Sequence, residues 1–122
     1  MGFFDFLIKD IETNDTKPNK DLQTHYYKCE YREAKEALLR YLKKNNYEVS
    51  NIDDKYGEIF VETPSFHMIF SIRKAGILNV SIDIKVNVYR LIGGYKPHKL
   101  IKEAYKYLDK EIPFMGIGLQ IN

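Results

Sequence analysis

The fold is decided by the stretch VSIDIKVNVY, residues 80–89. Apolar residues occupy every second position of this stretch, and mostly polar residues fill the positions between them. Successive side chains of a β-strand point to opposite faces of a sheet, so the alternation predicts a long antiparallel strand with one buried face and one wet face. The residues predicted to face the core are Val80, Ile82, Ile84, Val86 and Val88. Neighbouring segments must cover that apolar face.

Two segments have the spacing of amphipathic helices that could cover it. The first runs from Tyr31 to Asn45, with apolar residues on one side and charged residues on the other. The second runs from about Lys96 to Glu111, begins near Pro97 and is ended by Pro113. Its apolar arc is predicted to contain Leu100, Ala104, Tyr107 and Leu108, with Ile101 on the flank.

Four shorter segments have strand character: residues 24–29, 47–52, 58–63 and 66–73. The tail, residues 114–122, alternates in the same way and predicts either an edge strand or a partner contact. The sum is an α+β fold in the order β-α-β-β-β-β-α: an antiparallel meander of four to five strands with both helices on one face. This order resembles that of TATA-binding-protein-like and helix-grip domains. The resemblance concerns element order, and it implies no function.

The chain is expected to have three parts. Residues 1–12 form a short amphipathic segment, predicted to be helical over residues 1–11; residues 13–21 form a polar linker; and residues 22–122 form one α+β domain. The net charge of +2 is too balanced to indicate nucleic-acid binding. The single cysteine and the lack of a recognisable signal peptide favour a reducing cytoplasm.

The predicted functional surface is the sheet face that the helices leave open. It mixes apolar, basic and hydrogen-bonding side chains on a rigid support, which suits a protein partner or a small ligand. The alternative is an ordinary solvated sheet face. The candidate binding residues on this face are His67, Ile69, Arg73, Asp83, Lys85, Asn87 and Tyr89.

No catalytic or cofactor motif stands out, so the sequence favours a cytoplasmic, non-enzymatic binding domain without a cofactor. One competing hypothesis is a membrane-peripheral protein attached through residues 1–11, although packing of that segment on its own domain or on a second copy, as in a homodimer, is favoured. Another is a small enzyme that uses Cys29 or a histidine. The three histidines lack the spacing of a metal site. Without a visible catalytic role, Cys29 is expected to be a small core residue, and the histidines are expected on the surface.

Overall fold

The strand predicted around residues 80–89 forms over Val80–Val88 and lies in the interior of a seven-stranded antiparallel sheet. The structure is a computed structural model that describes residues 9–14, 17, 22–89 and 97–117. In chain order the elements are β1 (Lys9–Glu12), β2 (His25–Tyr27), α1 (Tyr31–Lys44), β3 (Val49–Asp53), β4 (Glu58–Glu62), β5 (Phe66–Lys74), β6 (Val80–Val88), α2 (Pro97–Glu111) and β7 (Phe114–Ile117). The predicted α+β class is confirmed.

Strand β6 organises the sheet. The strand order is β3-β4-β5-β6-β2-β7, and β5 pairs with β6 along its whole length. The other side of β6 is shared by two short strands: β1 pairs with residues 85–88, and β2 pairs with residues 80–82. Residues 83 and 84 lie between these two pairings, where neither strand continues the ladder.

Both helices pack on one face of the sheet, as predicted. The five apolar residues of β6 are all buried there, with exposures of 0–1%. The packing of α2 corrects one detail of the sequence analysis, because Tyr105 is buried and Tyr107 is only partly buried. The buried arc of α2 follows the i, i+4, i+7 spacing of Ile101, Tyr105 and Leu108, and Tyr107 lies instead beside Tyr41 of α1, with ring centroids 5.2 Å apart.

The two ends of the chain add strands to the predicted meander. The helix predicted over residues 1–11 is wrong at its end, because Lys9–Glu12 form strand β1. The free edge of β6 offers backbone hydrogen bonds to this segment, and sheet pairing overrides its helical spacing. Residues 1–8 lie outside the described residues. At the other end, β7 pairs with β2 at the edge of the sheet, so the first of the two alternatives for the tail holds over residues 114–117. Residues 118–122 lie outside the described residues.

Neither described helix is long and apolar enough to cross a membrane.

Candidate functional site

The open face is the sheet surface opposite the two helices, and its side chains stand in rows set by strand register. One row crosses Glu62, His67 and Asn87; the next crosses Phe60, Ile69 and Lys85; the third crosses Glu58, Ser71 and Asp83; and the fourth pairs Arg73 with Ser81. Tyr89 follows β6 at the end of the first row. The seven predicted binding residues thus share one surface, spread over about four rows.

A hydrogen-bonded cluster closes one end of the open face. The Tyr89 hydroxyl donates to the Glu62 carboxylate, and His67 Nδ1 lies 2.9 Å from the Tyr89 oxygen. Because the Tyr89 proton points to Glu62, the histidine must donate from Nδ1. Burial, together with the Glu62 carboxylate, raises the pKa of Tyr89 to about 12, so Tyr89 stays a neutral donor at physiological pH. The sequence analysis selected His67 and Tyr89 but missed Glu62, their shared neighbour.

The centre of the open face is apolar and ends in a basic side chain. Phe60 and Ile69 are directly opposite each other on β4 and β5, and both are partly buried. Lys85 is opposite Ile69 on β6 and is exposed. Within the described residues Lys85 makes no ion pair, although Glu12 of β1 lies opposite it in register. The Lys85 ammonium is therefore available to an outside group.

The other end of the open face carries an ion pair. Arg73 Nη2 lies 4.0 Å from Glu58 Oε2, and the side chains are 57% and 29% exposed. An ion pair of this length and exposure contributes little to stability. Arg73 can consequently exchange Glu58 for another acceptor at small cost.

Asp83 has an internal role that the sequence did not indicate. Its Oδ1 accepts hydrogen bonds from the hydroxyls of Thr13 and Thr24, each at 2.6 Å. Both threonines are buried, with exposures of 4% and 3%. Asp83 thus joins the end of β1 to the start of β2 across the gap in the ladder. In the candidate site it acts first as a support for the neighbouring strands.

Thr13 also connects the open face to helix α2. Its backbone N–H donates to the Ile84 carbonyl at 2.9 Å, and its Oγ1 accepts the Ile84 N–H at 2.9 Å. The same Oγ1 lies 3.0 Å from the Tyr105 hydroxyl, which donates to the Ile82 carbonyl at 2.7 Å. The Thr13 hydroxyl therefore replaces the missing backbone partner of the Ile84 N–H. Through this hydroxyl, hydrogen-bonding groups extend across the sheet from Asp83 to Tyr105 of α2.

A second polar cluster lies beneath β2. The His25 ring stacks on Tyr105 with centroids 3.5 Å apart, and its Nδ1 is 2.9 Å from Asp109 Oδ1. The Tyr27 hydroxyl donates to the same Asp109 oxygen at 2.6 Å. Burial raises the pKa of Tyr27 and of Tyr105, so both hydroxyls remain protonated. These contacts fix α2 against β2.

The position of His25 corrects the expectation that the histidines lie on the surface, because it is only 7% exposed. Strand alternation in β2 places His25 on the same face as Tyr27, toward α2. That alternation is visible in the sequence. The acceptor Asp109, which makes burial of the imidazole tolerable, is 84 residues away and becomes adjacent only in the fold.

Cys29 lies in the core, as the sequence analysis expected, with 5% exposure. Burial raises the pKa of its thiol to about 11, so the nucleophilic thiolate is scarce at neutral pH. No group of three or more potential metal ligands occurs among the described histidine, cysteine, aspartate and glutamate residues.

Comparisons with protein-family models, with curated proteins and with solved structures find no significant match. Over the described residues, fold and site define an α+β domain with one antiparallel sheet and one face that neither described helix covers. Its function is argued from that face.

Proposed function

We propose that this protein is a small, non-enzymatic, cytoplasmic binding domain whose open face binds a protein partner. The observation that carries the proposal is the central row, in which the apolar pair Phe60 and Ile69 lies beside Lys85, which makes no ion pair with any described residue. An apolar centre beside a polar margin is the usual anatomy of a protein interface. The row stands on three adjacent strands, so a partner would meet a surface that is already rigid.

The margins of the open face support the same proposal. The cluster of Glu62, His67 and Tyr89 is held by internal hydrogen bonds before any partner arrives, which lowers the entropy cost of binding. Tyrosine and arginine are enriched at the energetic centres of interfaces, and Tyr89 and Arg73 occupy opposite ends of this face. Lys85 and Arg73 favour a partner with carboxylates at matching positions.

Two observations support binding over catalysis. The raised pKa of the buried Cys29 disfavours a thiolate nucleophile. The His25 imidazole is enclosed by Tyr105 and Asp109, which gives it a structural role. A small ligand is less well suited than a protein, since side chains standing in open rows offer breadth and little enclosure.

Site-specific photocrosslinking in the native cell tests the proposal. A benzophenone amino acid replaces Ile69 in one variant and Lys102, an exposed residue of α2, in a matched control. We expect a discrete protein adduct from position 69 and none from position 102. An adduct with the mass of two copies of this chain would identify the partner as a second copy and the open face as a homodimer interface.

Substitutions on the same face give the second arm. Lys85→Glu should strongly reduce the adduct at position 69, and Lys102→Glu should leave it unchanged. Combined alanine replacement of Ile69, Arg73, Lys85 and Tyr89 should abolish binding while circular dichroism shows a folded domain. The proposal fails if the folded quadruple variant keeps every interaction of the parent protein, or if positions 69 and 102 give the same adducts.

A further inference from the structure

The β5–β6 hairpin ends in two exposed aliphatic residues. Ile77 is 95% exposed and Leu78 is 53% exposed, in the loop between Lys74 and Val80. Tyr56, on the turn between β3 and β4, is 59% exposed. These three residues, here called the hairpin tip, are the most exposed large hydrophobic side chains in the described part of the chain.

The members of the hairpin tip lie at one end of the sheet. The Ile72 N–H donates to the Gly57 carbonyl at 2.7 Å, which fixes the β3–β4 turn beside the end of β5. Tyr56 and Lys74 line one shallow depression of about 490 Å³ there. Lys74 also lines a second depression of about 440 Å³ together with Ile77 and Leu78. The tip therefore combines side chains from two adjacent turns.

Basic groups outnumber carboxylates around the hairpin tip. Lys55 and Lys74 are exposed and make no ion pair with any described residue. Asp54 is held by Lys35 at 2.8 Å and by the Tyr31 hydroxyl at 2.7 Å.

Two further acidic groups, on the β3–β4 hairpin, also have hydrogen-bond or ion-pair partners. Asp53 accepts the backbone N–H groups of residues 55 and 56 at 3.0 and 3.2 Å, and Glu58 faces Arg73 at 4.0 Å. The residues that line the two depressions are nevertheless positive in sum, because four of them are basic (Arg32, Lys55, Arg73 and Lys74) and two are acidic (Glu30 and Asp54).

We propose that the hairpin tip inserts into the interfacial region of an anionic lipid bilayer, with Lys55 and Lys74 at the level of the headgroups. A stable protein interface needs about 800 Å² from each partner, which a projecting tip of three side chains does not supply. A bilayer accepts a projection of this shape, and surface lysines add attraction to anionic lipid. An aromatic residue such as Tyr56 also suits the membrane–water boundary.

This contact is separate from the membrane attachment that the sequence analysis considered as a competing hypothesis for residues 1–11. Lys9 pairs with Val88, whereas the hairpin loop joins β6 at Val80, so the two segments meet the sheet at opposite ends of β6. It is also separate from the central row of the open face. Its success or failure therefore leaves the proposed partner site untouched.

Tryptophan fluorescence provides the direct test, because the chain contains no tryptophan. Ile77→Trp carries the probe at the tip, and Lys102→Trp carries it on the outer side of α2 as a control. With vesicles of phosphatidylcholine and phosphatidylserine, we expect a blue shift and quenching by brominated lipid for Ile77→Trp alone. An unchanged spectrum, or the same response from Lys102→Trp, overturns the proposal.

Vesicle flotation of the full chain provides the second arm. Ile77→Ser combined with Leu78→Ser should reduce the bound fraction at least tenfold. Lys74→Glu should reduce it by more than about fivefold, since loss of one basic residue near an anionic surface alone contributes about that factor. Lys102→Glu should have no effect. Equal flotation with vesicles of pure phosphatidylcholine overturns the proposal. A blue shift of Ile77→Trp that grows with protein concentration without vesicles also overturns it, because the tip would then bind a second copy of the chain.

Discussion

The Thr13 hydroxyl closes the gap in the sheet where β1 and β2 meet β6, and its removal should be costly. Thr13→Val keeps the shape of the side chain and deletes only the oxygen. The Ile84 N–H then loses its acceptor in a buried position, and Asp83 loses one of its two threonine donors. Thr24→Val is the matched control, because Thr24 donates to Asp83 without replacing a ladder partner.

The magnitudes follow from these contacts. A buried N–H left unpaired costs about 1–3 kcal/mol, and a hydrogen bond to a carboxylate contributes about 1.5–3 kcal/mol, part of which the remaining donor retains. We therefore expect Thr13→Val to lower the free energy of unfolding by about 2–4 kcal/mol. Thr24→Val, which loses one donor only, should lower it by about 1–2 kcal/mol.

Urea denaturation at pH 7, followed by circular dichroism, measures both values. With a slope of about 1.5 kcal/mol per molar urea, the midpoint should fall by about 2 M for Thr13→Val and by about 1 M for Thr24→Val. The slope itself should stay unchanged, since neither variant alters the area buried. Equal losses in the two variants would refute the reasoning, because the difference between them represents the ladder contact that Thr13 alone supplies.

Three further predictions concern other parts of the fold. Gly57→Ala should destabilise the domain by at least about 2 kcal/mol in thermal denaturation, because φ is +71° and the new Cβ would lie 2.1 Å from a backbone oxygen of β5. Gly76→Ala should cost less, because its new Cβ would lie 3.0 Å from the side-chain nitrogen of Asn79, the end of a side chain that can shift. Cys29 should react slowly with Ellman's reagent at pH 8 and rapidly in urea, because its pKa of about 11 belongs to the folded state. The contribution of this thiol to the free energy of unfolding is full below pH 9 and is lost as the pH rises toward 11. Fast reaction of the native protein would contradict this. Glu62→Gln should lower the pKa of Tyr89 from about 12 toward its ordinary value, measured by carbon NMR of the tyrosine ring, and an unchanged pKa would show that Glu62 has no part in the shift.

Much of the candidate site follows from strand alternation. Period two in β5 and β6 places His67, Ile69, Lys85 and Asn87 on one face, and the structure puts them there. Their partners in each row lie on β4, whose register is fixed by the turn that joins it to β5. Glu62 could not be assigned to His67 and Tyr89 before that register was known.

The buried polar clusters needed the fold. Thr13 and Asp83 are 70 residues apart, and His25 and Asp109 are 84 residues apart, so no local pattern connects them. The N-terminal strand is a second example. Its apolar spacing predicts a helix, but in the fold its backbone pairs with the edge of β6. Local spacing indicates which face of an element a side chain occupies. It does not indicate which distant group will be its hydrogen-bond partner.

By itself the sequence determined the α+β class, both helices, the central strand and the helix-free face, since each depends on a periodicity of two or 3.6 residues within one segment. Only the tertiary structure decided that β6 is shared by two short strands, that Thr13 fills the gap between them, and that Ile77 and Leu78 project beside an exposed lysine, Lys74. These features depend on contacts between segments far apart in the chain. Such contacts are selected by the backbone hydrogen bonds and buried polar groups that must be satisfied when the whole sheet assembles.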